Sequence, residues 1–199
     1  MLLLVLSAAC SQTEVNQKNG KETNVSLVQN HSFSNIDEVH TTHLHLDLNV
    51  DFQNKRLKGV ARHHLNNPGF KEVKFDIKSL KINKVTLGTE TKESITNHEI
   101  KGEIDPILGQ ALHVKIEPDT KYVNIYYETT EDSEALDWLD SSLTSSKNKP
   151  FLYTQGQAIL TRTWIPIQDA PSNRITYSAD LTVPNDLMAV MSATNPQNK

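Results

Sequence analysis

Apolar and polar residues alternate from His43 to Phe52: Leu44, Leu46, Leu48, Val50 and Phe52 fall on one side, His43, His45, Asp47, Asn49 and Asp51 on the other. A period of two predicts a strand with one buried and one wet face. Asn54 and Lys55 make a turn, and Leu57, Val60 and Leu65 suggest a return strand with a break at Gly59. Asn66, Asn67, Pro68 and Gly69 form a second turn cluster. Further strands are predicted around Val73, Phe75 and Ile77, and around Leu80, Ile82, Val85 and Leu87. Leu112, Val114 and Ile116 continue the series up to Pro118. Val123, Ile125 and Tyr127 follow, with Tyr122 and Tyr126 on the opposite face. The segment Glu131 to Leu139 reads as a short helix, with Asp132 or Ser133 as its N-cap. Ile175–Val183 and Leu187–Ala193 read as two closing strands joined through Pro184 to Asp186. Many short strands between polar turns predict an all-β fold: a β-sandwich or saddle-shaped antiparallel sheets with one short helix.

Composition adds limits. With 199 residues, 37% hydrophobic and 22% charged, the chain fits one globular domain with a short tail. A net charge of −4, with Lys and Arg scattered rather than clustered, argues against nucleic acid as a partner.

The N-terminus reads MLLLVLSAAC, an apolar run ending in small residues before Cys10. Cys10 is the only cysteine, so no intramolecular disulfide is possible, and a lipid-attachment site fits it better than a nucleophile. An ordinary secretory signal fits the same residues. Together they predict a lipoprotein-type signal over residues 1–10, a polar tether over 11–31 and a folded domain over 32–199. The expected location is the bacterial cell envelope, lipid-anchored to the membrane or periplasmic.

Candidate chemistry concentrates in FLYTQGQAILTRTWIPIQDAP, Phe151 to Pro171. A short strand there enters a loop in which Gln155 and Gln157 flank Gly156. Each amide offers an uncharged acceptor and donor, which suits an ammonium group or a peptide backbone. The same pattern also fits a polar loop bonded to itself. Arg162 and Asp169 could support the loop by a salt bridge or lie on the surface, and Trp164 reads as core. His43 and His45 share a strand side, with His40, His63 and His64 nearby, but zinc needs three or four convergent ligands. Alternation turns His43 and His45 toward solvent, so no metal site is expected. No H-E-x-x-H, G-x-S-x-G, P-loop or G-x-G-x-x-G is present, and no catalytic residue is assigned.

The string TQGQAILTRTWIPIQDAPSNRITYSADLTVPNDLMAVMSA resembles the N-terminal domain of M1-type zinc aminopeptidases, the aminopeptidase N and leukotriene-A(4) hydrolase family, including bacterial relatives. THLHLDLNVDFQNKRLKGVA and YETTEDSEALDWL extend the resemblance upstream, to cover roughly residues 32 to 195. Ile167 stands where many relatives carry Cys, and an apolar residue there should still pack. The resemblance implies that the Gln155, Gly156, Gln157, Ala158 loop forms part of the wall of a peptidase cleft. Gln157 would hold the free α-amino group of a peptide, and Gln155 would contact substrate backbone. Gly156 and Ala158 would keep the loop narrow. Many relatives carry Glu at the position of Gln157, so the amine would be held more weakly here. Gln at this position is shared with the leukotriene-hydrolase branch, which brings an additional epoxide hydrolysis into view. The resemblance also implies that zinc sits in a separate catalytic domain carrying G-x-M-E-N and H-E-x-x-H. This chain reaches Lys199 before either motif, so it needs no cofactor of its own and is expected to be inactive alone. Its expected partners are a peptide N-terminus and that catalytic domain. Two other readings stay open: a stand-alone β-sandwich module that binds peptides or glycans, and a structural interaction domain.

Overall fold

The structure is a computed structural model, and residues 31–196 are described. The predicted signal, Cys10 and most of the predicted tether lie outside the described residues. Eleven strands follow in order: β1 (His40–Asp51), β2 (Arg56–Asn66), β3 (Glu72–Ile77), β4 (Leu80–Thr89), β5 (Lys92–Ile95), β6 (His98–Asp105), β7 (Gly109–Lys115), β8 (Tyr122–Thr129), β9 (Leu136–Leu139), β10 (Phe151–Thr154) and β11 (Thr176–Thr182). The fold is all-β, and its only helical pieces among the described residues are single 3-10 turns at Ser141–Leu143 and Thr161–Thr163. A six-stranded sheet has the order β11-β1-β2-β8-β4-β5; a three-stranded sheet has the order β3-β7-β6; β10 and β9 form a ribbon.

The core lies between the two larger sheets. Leu44, Leu46 and Leu48 of β1 are 1–2% exposed, as their alternation predicts. They share one apolar cluster with Ile125 and Tyr127 of β8, Phe75 of β3 and Leu112 of β7. Gly59 pairs with Leu48 of β1, and a Cβ there would collide with the Asp47 carbonyl oxygen. The break read at Gly59 is therefore a close approach inside one continuous strand. Gly59→Ala should destabilise the domain by about 1–3 kcal/mol, the usual cost of overpacking, as read from a lower urea midpoint.

Three elements differ from the sequence reading. Residues 131–139 form turns and then β9, which pairs with β10. Two isolated helical turns are too short to sustain themselves. Here Leu136–Leu139 gains a ladder, and Trp138 packs edge-on against Phe52 at 5.3 Å. The six-stranded sheet is mixed, because β11 joins β1 in parallel rather than antiparallel. A strand that returns after a long excursion is free to enter in either direction. Leu187–Ala193 is not a strand: Leu187 N–H closes a turn on the Pro184 carbonyl, and Met188 and Val190 are 72% and 67% exposed.

Candidate functional site

The glutamine loop leaves the end of β10. The Gln155 N–H donates to the Ala135 carbonyl at 2.9 Å, which extends the β10–β9 ribbon by one bond. The Leu160 N–H donates to the Gly156 carbonyl at 2.8 Å and closes the turn that carries Gln157 and Ala158. Gln155, Gln157 and Ala158 are exposed, and Gly156 is half-buried. A Cβ on Gly156 would lie 2.5 Å from Thr161 Oγ1, so glycine lets the loop sit tight against the following turn. The Gln155 side-chain oxygen accepts the Gln157 N–H at 3.2 Å. The Gln157 side-chain amide has no partner among the described residues, so its donor and acceptor both face solvent. The four predicted site residues thus stand together on one loop.

That loop rests on a buried polar frame. Arg162 is 0% exposed and pairs with Asp169 through Nε to Oδ2 at 3.1 Å, the salt bridge read from the sequence. Its Nη1 lies 3.6 Å from Asp76 Oδ1 and donates to the Leu108 carbonyl at 3.0 Å. Its Nη2 donates to the His31 and Asp169 carbonyls at 2.7 and 3.2 Å. The fork-shaped guanidinium reaches all of these at once, which a lysine could not. Asp76 accepts from Ser32 Oγ, the Phe33 N–H and the Asp169 N–H at 2.5, 2.6 and 2.9 Å. Burial pushes the Asp76 carboxyl up from its ordinary range, against the pull of Ser32 and the Arg162 charge.

His63 and Gln168 tie the same segment to the main sheet. His63 Nε2 donates to the Pro166 carbonyl at 3.1 Å, so its Nδ1 accepts from Thr41 Oγ1 at 3.1 Å. Burial lowers its pKa from 6.5 to about 3, which keeps the ring neutral. Gln168 accepts the Thr41 N–H and donates to the Val39 carbonyl, both at 2.8 Å. Ile167 packs at 9% exposed, and its N–H and carbonyl pair with the Asp76 backbone. Asp76 and Gln168 were not singled out from the sequence, and His63 was weighed there only as a neighbour of the His43 and His45 pair, not as a buried tie. His63 did carry a signal: it shares the inward parity of Ala61 and Leu65 on β2.

An apolar cavity of about 640 Å³ lies beside the loop, with Leu44, Leu48, Phe151, Trp164, Tyr177 and Met188 in its wall. Trp164 packs against the core cluster, as expected of a large aromatic. Phe151 and Tyr153 of β10 are 52% and 50% exposed beside this cavity.

The histidine pair forms no zinc site. His43 Nδ1 and Nε2 are hydrogen-bonded to Thr176 Oγ1 and Ser178 Oγ at 2.8 and 3.0 Å. His45 Nδ1 bonds Ser178 Oγ at 2.9 Å, and its Nε2 lies 3.5 Å from Asp180. These rings lace β1 to β11 instead. Among the described residues no group of three or more metal-binding side chains converges.

The peptidase M1 N-terminal domain family matches residues 40–199. Leukotriene A-4 hydrolase of Xenopus laevis is 32% identical over 171 residues, covering 81% of this chain and 27% of that protein. Leucine aminopeptidase 2 of Pyricularia oryzae is 31% identical over 169 residues, covering 78% of this chain and 26% of that protein. Among solved structures, yeast LTA4 hydrolase in complex with bestatin superposes with a TM-score of 0.71 at 26% identity, covering 81% of this chain and 25% of that one. The chain therefore spans about a quarter of the length of these relatives. They come from an amphibian and from fungi, which overturns the expected bacterial cell-envelope location. That expectation rested on the apolar N-terminal run, Cys10 and the polar stretch after it, none of which lies in the matched domain. By the family match over residues 40–199, and by relatives more than 30% identical, the chain belongs to the M1 peptidase family as its N-terminal domain.

Proposed function

We propose that this domain supplies the amine-recognising wall of an aminopeptidase cleft through Gln155–Ala158. The observation that carries this reading is an exposed, unpartnered Gln157 amide on a loop anchored by a fully buried Arg162. A recognition group gains from a rigid support, because little ordering is left to be done on binding. The Gln157 oxygen would accept from the substrate α-ammonium, and Gln155 would meet the peptide backbone. Zinc and its ligands would reside in a catalytic portion of the kind that makes the relatives longer. That portion would cover Phe151 and Tyr153, which stand exposed beside the loop.

The test is hydrolysis of peptides by the polypeptide that joins this domain to a zinc-bearing part. Gln157→Ala should raise KM for free-amine peptides about tenfold or more, since a hydrogen bond to a charged group contributes roughly 1.5–3 kcal/mol. Gln157→Glu should lower KM for the same peptides, because a carboxylate holds ammonium more strongly than an amide does. Peptides with an acetylated N-terminus should be poor substrates. Equal cleavage of acetylated and free peptides, or indifference to both substitutions, would remove the assigned role of Gln157.

A further inference from the structure

The segment that precedes β1 is built into the frame under the glutamine loop. It is pinned to the outer edge of β3 by Asn35, whose amide stands in for a neighbouring peptide. Asn35 Oδ1 accepts the Lys74 N–H at 2.8 Å, and its Nδ2 donates to the Glu72 carbonyl at 3.1 Å. Further along the same edge, the N–H and carbonyl of Asp76 pair with Ile167. Ser32 Oγ and the Phe33 N–H donate to Asp76 Oδ2 and Oδ1 at 2.5 and 2.6 Å. Ser32 Oγ itself meets the Ser34 N–H at 3.0 Å and the Ser34 hydroxyl at 2.6 Å, and accepting both leaves its own proton for Asp76. Among the described residues the Asp76 carboxylate accepts three hydrogen bonds; this segment supplies two, and the Asp169 N–H supplies the third at 2.9 Å. A carboxylate that is 0% exposed depends on such donors, because a buried acceptor left without them is costly.

We propose that residues 31–35 are a strap that positions the glutamine loop, with Ser32 and Phe33 as positioning residues that act through Asp76. The route is continuous. Asp76 Oδ2 accepts from both Ser32 Oγ and the Asp169 N–H, and Asp169 Oδ2 receives Arg162 Nε at 3.1 Å. Arg162 Nη2 then returns to the strap, donating to the His31 carbonyl at 2.7 Å. Strap, Asp76, Asp169 and Arg162 thus close a ring. Arg162 directly follows Thr161, and it is Thr161 Oγ1 that Gly156 packs against. With the strap withdrawn, Asp76 would keep one of its three hydrogen bonds, and Arg162 would lose a carbonyl. Residues 161–169 would then loosen from β3, and the loop that rests on them would loosen too. The strap precedes residues 40–199, which the family match covers, so control of the loop lies partly outside the family domain. Any event that removes the chain up to Asn35 would release it. The strap would hold the loop whatever ligand Gln157 meets, so its failure and that of the amine-recognising role are read separately.

The experiment is backbone hydrogen exchange on the full chain, for the wild type, Ser32→Ala and Ser32→Thr. The amides to follow are those of Gln155, Leu160, Thr163 and Asp169, which are bonded within the loop or the frame. The amides of the β2–β8 ladder serve as the internal reference. Ser32→Ala should speed exchange at the four amides about tenfold, the factor expected for one hydrogen bond to a charged group, and leave the reference amides unchanged. Ser32→Thr keeps the hydroxyl and should restore the wild-type rates. Unchanged exchange at the four amides in Ser32→Ala would overturn the proposal. So would an acceleration shared equally by the β2–β8 ladder, since that would be a loss of global stability. An acceleration that Ser32→Thr does not reverse would also overturn it, since the hydroxyl would not be the cause.

Discussion

Arg162→Ala should cost the domain about 3–5 kcal/mol, the usual effect of removing one partner from a buried ion pair. That is a large share of the roughly 5–15 kcal/mol by which a domain is folded. The reason lies in what remains. Asp76 is 0% exposed, and without Arg162 it would keep its hydrogen bonds to Ser32, Phe33 and Asp169 but lose its countercharge. The carbonyls of His31 and Leu108 would lose their donor as well. Arg162→Lys should recover only part of the loss, because one ammonium cannot span the three carbonyls and two carboxylates that the guanidinium engages. Urea unfolding of the three proteins at one pH gives the comparison. Equal stability of wild type and Arg162→Ala would mean that the frame under the glutamine loop is not held together by this residue.

The second large effect is a dependence on pH that passes through His63. Burial lowers its pKa from 6.5 to about 3. Between those values the unfolded chain takes up a proton that the folded chain refuses. The stability this group contributes is therefore fully present above about pH 6.5 and is lost as the pH falls toward 3. One proton corresponds to a slope of about 1.4 kcal/mol per pH unit within that window. Carboxylates titrate over part of the same range, so the informative quantity is the difference between wild type and His63→Gln. Denaturant midpoints from pH 7 to pH 4 should converge for the two proteins as acid removes the advantage of the wild type. Parallel curves would show that His63 is not protonated on unfolding. The same substitution removes the Nε2 bond to the Pro166 carbonyl, so it also loosens the segment that follows the glutamine loop.

Physical reasons separate what the sequence made legible from what it did not. β1 was legible because one of its faces is buried and the other wet, which writes a period of two into the residues. β6 went unread because it lies at a sheet edge, with all of its residues but the last exposed, so burial imposed no pattern on it. Residues 131–139 looked helical because local pattern was all that could be weighed, whereas the ladder that β9 within them makes to β10 is a contact with residues beyond the next turn. The site divides in the same way. Gln155, Gly156, Gln157 and Ala158 are contiguous and could be read as one motif. Asp76 reaches Asp169, in the segment that follows the loop, from β3 across a separation of 93 residues, and no spacing rule reveals such a partner. The Arg162–Asp169 bridge spans seven residues and was accordingly visible.

The pairing of β1 with β11 has a consequence for how the chain is made. His43 meets Thr176 across a separation of 133 residues. Closing so long a loop is entropically slow, and domains dominated by such distant pairings fold on the slower end of the two-state range. During synthesis β1 can pair with β2 almost at once, yet its other flank stays uncovered until β11 has left the ribosome. A nascent chain paused anywhere before Thr176 thus carries an open strand whose inward residues are Leu44, Leu46 and Leu48. This is the interval in which chaperone contact with the domain is expected to concentrate.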